Sequence, residues 1–207
     1  MFKNIIFDWS GVIKDALDAH LWVVNRIIEE LGGKAISIEE FKKNWEEPYM
    51  NFWRTYYPEL TYEKEHEMYS RFILSNECPE STSCLGIVDV IKKLKQNGTY
   101  MIVLSSDFPE TVLPEMKRFA LENIFSEVVT LVYDKKEKIA ELMKAHNLKP
   151  EETIFVGDSA NEVKAGKSVG LKTLSVTWGF YSEEKLKLSE PDYLVHNIEE
   201  LEKVLLA

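Results

Sequence analysis

The 207-residue sequence is short of cysteine, of basic charge and of long apolar runs, and each shortage removes a class of protein. Its two cysteines, Cys78 and Cys84, match no zinc spacing and have no histidine pair nearby, so they read as reduced structural thiols. Lys and Arg number 25 against 35 Asp and Glu, for a net charge of −10. Affinity for a nucleic-acid backbone comes from basic patches, so an acidic chain of this kind is not expected to bind nucleic acid. The charges are interspersed rather than blocked, the pattern of solvated helix faces. No apolar run is long enough to span a membrane, and no signal pattern precedes the first strand; a soluble, cytoplasmic protein with no membrane partner is expected. There is no internal repeat and no low-complexity segment. Oligomeric state is not legible.

What the sequence does have is a rhythm. Hydrophobic residues make up 45% of the chain, enough for a sizeable core. Short apolar runs, "KNIIFDW", "TYMIVLSSD", "EVVTLV", "TIFVGDS", "KTLSVTWGF" and a shorter "YLVHN", read as strands. Amphipathic stretches separate them: "GIVDVIKKLKQ", "PETVLPEMKRFALEN", "KKEKIAELMKAHN", "NEVKAGKSVG" and "NIEELEKVLL". Fully apolar strands alternating with such helices predict an α/β fold, a Rossmann-like three-layer core around a parallel sheet. The segment 16–82 breaks the rhythm. It offers no strand and three helical stretches, "ALDAHLWVVNRIIEELG", "SIEEFKKNWEEPYMNFWRTYY" and "TYEKEHEMYSRFILSN". The expected organisation is therefore a core of residues 1–15 and 83–207 with an all-α insertion over 16–82. Within the insertion, Trp45, Tyr49, Phe52, Trp53 and Tyr56 recur at helical spacing and are expected mostly to fill its core.

The polar residues gather at strand ends. Asp8 closes the first apolar run; Ser105, Ser106 and Asp107 close "MIVL"; Asp134 and Lys135 follow "LVY"; Asp158 and Ser159 close "IFVG", with Glu162 a helical turn on. Parallel sheets bind ligands beyond the carboxyl ends of their strands, so these residues can converge on one crevice. Carboxylates crowded together do not all stay ionised without a cation. Hard oxygen ligands of this kind suit Mg2+, which takes further oxygens from a substrate phosphate. A lysine, hydroxyls and backbone donors can hold the remaining phosphate oxygens. One carboxylate is then placed to attack phosphorus and form an acyl phosphate.

Four motifs in order, "IIFDWSGV", "MIVLSS", "YDKKEKI" and "VGDSANE", resemble those of the haloacid dehalogenase-like hydrolase superfamily over almost the full chain. The insertion after the first motif resembles that family's helical cap domain. The resemblance implies a Mg2+-dependent phosphatase acting on a small phosphorylated metabolite through an aspartyl phosphate. Asp8 is then nucleophile and metal ligand, and Ser10 lends its backbone carbonyl to the metal. Ser105 and the Ser106 amide bind the phosphoryl group. Lys135 neutralises nucleophile and phosphate, with Lys136 and Lys138 as competitors; Lys135 is preferred because Ile139 and Leu142 then open the buried helical face. Asp158 binds Mg2+, and Glu162, where the family usually has Asp, orients the metal directly or through water.

Ser10 departs from the pattern. Most phosphatases that the chain resembles carry a second aspartate there, which protonates the leaving alcohol and then activates water. Serine does neither well, and such help is typically worth about 10²–10⁴-fold. One reading is a phosphatase that is slow, prefers good leaving groups, or recruits another acid such as Asp15 or Asp107. A second follows from the likeness of "DWSGV" to the DWAGT of phosphonoacetaldehyde hydrolases, which cleave a C–P bond with a cap lysine; Lys34, Lys42, Lys43 and Lys64 are candidates. A third is a degenerate member that binds a phosphorylated ligand or a partner protein.

Overall fold

The computed structural model describes residues 2–46 and 48–207. The chain forms two compact units, Met1–Asp15 with Thr82–Ala207, and Ala16–Ser81. In chain order, β1 (Asn4–Phe7) and β2 (Lys14–Asp15) are followed by four helices: α1 (Leu17–Glu30), α2 (Ile38–Asn44), α3 (Met50–Tyr56) and α4 (Tyr62–Ile73). The first unit then resumes with β3 (Thr82–Ser83), α5 (Ile87–Gln96), β4 (Tyr100–Leu104), α6 (Pro109–Arg118), β5 (Glu127–Val129) and α7 (Lys135–Ala145). It ends with β6 (Thr153–Gly157), α8 (Ala160–Ser168), β7 (Lys172–Val176), α9 (Glu183–Leu188), β8 (Tyr193–Val195) and α10 (Ile198–Leu206).

Six parallel strands form one sheet in the order β5-β4-β1-β6-β7-β8. From β1 the chain winds one way through β4 and β5 and the other way through β6, β7 and β8, so its direction reverses at β1. That reversal opens a crevice at the strand ends. Register aligns the three central strands: Phe7 sits opposite Val103 on β4 and Val156 on β6. The residues that follow each strand therefore emerge at one level.

Side chains alternate across the pleat and are covered on both faces. On one side Ile5, Phe7, Val103 and Val156 pack with Ile91 and Leu94 of α5 and Leu201 and Leu205 of α10. On the other, Ile6, Ile102, Leu104 and Phe155 pack with Ile139 and Leu142 of α7 and Ala165 of α8. The result is the expected three-layer α/β core. Each large apolar side chain so buried contributes about 1.5–3 kcal/mol relative to exposure. The short strands β2 and β3 pair antiparallel, Lys14 with Ser83 and Asp15 with Thr82, where the chain leaves for residues 16–81 and returns.

Residues 16–81 are helical, but the stretch "SIEEFKKNWEEPYMNFWRTYY" is two helices rather than one. Ser37 caps α2 by accepting from Glu40 N, and α2 ends at Asn44. Pro48 has no N–H to donate into a helix; its carbonyl instead accepts from Asn51 N (2.8 Å) and opens the turn into α3. Phe52 and Trp53 are fully buried, Trp45 nearly so, while Tyr49 and Tyr56 are half-buried. Phe41, Trp45 and Phe52 meet with ring centroids 5.0–5.6 Å apart.

Two further elements depart from the sequence pattern. The stretch "PETVLPEMKRFALEN" leaves the helix at Arg118, because Ala120 and Asn123 adopt positive φ (54° and 60°). Helix α9 was not anticipated; its six residues are too few to show a period, although Ser182 caps it. Neither cysteine forms a disulfide, and burial pushes the Cys84 thiol up to about 12. No described helix is long and apolar enough to cross a membrane.

Candidate active site

Asp8 is the first residue past β1, and its amide donates to Val156 O (2.9 Å), fixing it at the mouth of the sheet between β4 and β6. Beyond β6 stand Asp158 and Ser159. Ser159 caps α8 in a reciprocal capping box: its hydroxyl accepts from Glu162 N (3.3 Å), and Glu162 Oε2 accepts from the amides of Ser159 (3.1 Å) and Asp158 (2.7 Å). The cap turns the Glu162 carboxylate back toward Asp8 instead of out into solvent. Asp8, Asp158 and Glu162 are all buried, each offering an oxygen within 4.8 Å of the others.

Three glycines permit this crowding. A Cβ on Gly157 would lie 2.1 Å from Glu162 Oε2, and one on Gly179 2.0 Å from Asp158 Oδ2. Gly11 has φ +83° and would place a Cβ 2.3 Å from Asp158 Oδ2, so the turn after Asp8 runs directly against Asp158. Asp158 Oδ2 is further held by the amide of Phe180 (2.6 Å).

Lys135, the first residue of α7, lays its ammonium between two of the carboxylates. Nζ is 2.6 Å from Asp8 Oδ1 and also bonds Glu162 Oε1. Burial pulls the Lys135 ammonium down, but Asp8 and Glu162 outweigh it and hold Lys135 well above its ordinary value, so it stays charged. Asp8 is raised well above the usual carboxylate range by burial first and by Glu162 next, with Lys135 opposing. Lys136 is exposed, and Lys138 pairs with Glu141 (2.8 Å) on the helix surface. Asp134 is a helix cap, accepting from the amides of Lys136 and Glu137, and is not brought into the cluster.

On the other side of β1, Ser105 is buried at the end of β4, where its hydroxyl accepts from Asp107 N (3.0 Å) and its amide bonds Val129 O (2.8 Å). Ser106 is exposed. The Ser10 hydroxyl donates to Asp107 Oδ2 (2.6 Å). Two residues that sequence reasoning missed complete this side. Lys14, with its side chain only 5% exposed, reaches Asp107 Oδ2 (3.5 Å) and Glu115 Oε1 (2.9 Å), while Glu115 Oε2 accepts from the Trp9 indole (2.9 Å). Burial works against the Lys14 charge, and Asp107 and Glu115 more than restore it. A lysine directly after the apolar pair Val12–Ile13 was the available signal.

The arrangement is a buried carboxylate cluster with one ammonium, at the carboxyl edge of a parallel sheet, with hydroxyls on its flank. Known proteins resemble the chain in sequence and in fold. Pyrophosphatase PpaX of Halalkalibacterium halodurans is 29% identical over 121 residues, 56% of this chain and 56% of that protein. Phosphoglycolate phosphatase of Synechococcus elongatus is 28% identical over 118 residues, again 56% of each. The chain thus spans about half the length of the curated relatives it matches. A predicted phosphatase from Clostridium acetobutylicum, 22% identical, superposes with a TM-score of 0.87 over 100% of this chain and 99% of that one, which shows a common fold. Residues 5–176, the greater part of the chain and the whole carboxylate–lysine cluster, match the family described as haloacid dehalogenase-like hydrolase; the chain belongs to that family.

Proposed function

We propose that the protein is a Mg2+-dependent phosphatase that acts on a small phosphorylated metabolite, with Asp8 as the nucleophile and an aspartyl phosphate as intermediate. The observation that carries the reading is the cluster itself: among the described residues, three buried carboxylates face one ammonium. Like charges at this spacing are costly without a counter-ion, and the excess of two negative charges is what one divalent cation offsets. The donors fit a hard cation, being all oxygen. Asp8, Asp158 and the Ser10 carbonyl would hold it, with Glu162 at the edge of the set because its oxygens already serve Lys135 and two amides. Bound there, the ion would draw charge from the phosphoryl oxygens.

The chain's own groups would do the rest. Lys135 steers Asp8 by holding Oδ1 and leaves Oδ2 for attack on phosphorus. Ser105 and the Ser106 amide, at the end of β4, would bind the phosphoryl group. Glu162 keeps Lys135 and the turn at Asp158 in place through the capping box. The helical unit Ala16–Ser81, inserted in the chain just after the nucleophile's turn, would serve as a cap that selects the substrate. The relatives, a pyrophosphatase and a phosphoglycolate phosphatase by name, set the first compounds to try.

The test is phosphate release from pyrophosphate, phosphoglycolate, p-nitrophenyl phosphate and acetyl phosphate, for wild type and D8N, with Mg2+ and after chelation. Release above D8N that chelation removes supports the proposal; no release above D8N from any compound overturns it. The C–P hydrolase reading draws no support from the geometry, since Lys34, Lys43 and Lys64 are exposed and Lys42 is only half-buried.

A further inference from the structure

The Asp107 carboxylate belongs to neither the metal-type cluster nor any strand, yet it is fixed from several directions. Its amide donates to Ser105 Oγ, its carbonyl accepts from Leu131 N (3.1 Å), and its Oδ2 takes both the Ser10 hydroxyl (2.6 Å) and Lys14 Nζ. Lys14 is anchored by Glu115, and Glu115 by the Trp9 indole. Trp9 and Ser10 are the two residues that follow Asp8, so the whole chain of bonds ties one carboxylate to the nucleophile's own turn. Burying a lysine with two acids carries a desolvation cost that apolar packing would avoid. Lys14 and Glu115 balance each other, which leaves Asp107 as the acid facing outward, its side chain 20% exposed against 10% for Glu115.

We infer that Ser10 and Asp107 form a two-residue proton relay that replaces a single acid–base side chain, with Lys14 and Glu115 as positioning residues. The inference rests on the phosphatase reading above. Alone, a serine hydroxyl neither gives nor accepts a proton readily near neutral pH. Hydrogen-bonded to a carboxylate at 2.6 Å, it can do both at once. In hydrolysis of the aspartyl phosphate, a water oxygen bonds to phosphorus while the bond between phosphorus and Asp8 breaks and its electron pair returns to the Asp8 carboxylate. The water's proton passes to Ser10 Oγ as the Ser10 hydroxyl proton passes to Asp107 Oδ2, and Asp107 releases it to solvent at its exposed edge. Asp107 Oδ2 is already engaged by Lys14 Nζ as well as by Ser10, and the relay is built for the water step. The substrates it serves are phosphates on weakly basic leaving groups, such as acyl phosphates, phosphoanhydrides or aryl phosphates, which depart without a proton.

The experiment is rapid-mix turnover of p-nitrophenyl phosphate by wild type, D107N and S10A, reading the first-turnover burst of nitrophenol separately from the steady rate. The relay predicts that both variants keep the burst, near one equivalent per site, and lose about 10²–10⁴-fold in the steady rate, because only release of phosphate from Asp8 is impaired. S10A keeps the Asp107–Lys14 pair, so it decides the matter if D107N does not fold. Steady rates within a few-fold of wild type, or a burst slowed along with the steady rate, overturn the relay while leaving the phosphatase reading intact. Failure of that reading looks different: wild type itself then shows no release above D8N.

Discussion

Three carboxylates and one ammonium share a buried space at Asp8, and single substitutions there should move activity and stability in opposite directions. D8N removes the attacking oxygen but keeps an oxygen for Lys135. It should lower turnover by about 10³-fold or more, while its melting temperature in chelator stays at or above that of wild type, since one of the repelling charges is gone. Calorimetry beside a steady-state assay checks both halves. Glu65 of α4 is a buried acid outside that space, bonded to the Trp53 indole (2.9 Å) and the Tyr49 hydroxyl, and burial pushes its carboxyl up to about 7 from an ordinary 4.5. The unfolded chain releases this proton near 4.5 and the folded chain near 7, so rising pH favours the unfolded form through that window, and the loss persists above it. E65Q should therefore melt a few degrees higher than wild type at about pH 8 and match it at about pH 4, measured by circular dichroism. Asp8, Lys135, Asp158 and Glu162 could be picked out of the sequence because each sits at the edge of an apolar run. Glu115 could not, and Lys14 offered only its place after an apolar pair, because only pairing in three dimensions makes a buried lysine tolerable.

The elements fix the site through the backbone as much as through side chains. The end of β6 and the segment after β7 pass so close to the carboxylates that Gly157 and Gly179 leave no room for a methyl group. Gly179 has an ordinary backbone conformation, so Gly179→Ala acts through contact alone: its Cβ displaces Asp158 from the amide of Phe180. Activity should fall by about 10²-fold, the scale expected when a reacting group is misplaced by roughly 1 Å, with far-UV dichroism unchanged. Helical periodicity located α1, α4, α5, α7, α8 and α10 from the sequence. It failed over residues 37–57, where aromatic spacing ran on across Pro48, and over α9, which is shorter than two turns.

For the whole molecule, the parallel sheet and its central β1 follow from short apolar strands alternating with amphipathic helices, and the resemblance of four ordered motifs to one family extended that reading to most of the chain. Substrate choice is not written there: the helical insertion, proposed above to make it, has rings that mostly pack on one another. The account as a whole stands on one covalent bond, between phosphorus and Asp8. The most direct measurement is to quench the turning-over wild-type enzyme in acid, reduce it with borohydride and map its peptides, since an acyl phosphate is reduced to the alcohol whereas a free carboxylate is not. The account predicts homoserine at position 8 in the protein quenched with substrate, and unmodified Asp8 without it. Hydrolysis that proceeds while Asp8 stays unmodified, or that modifies a different residue, would contradict it.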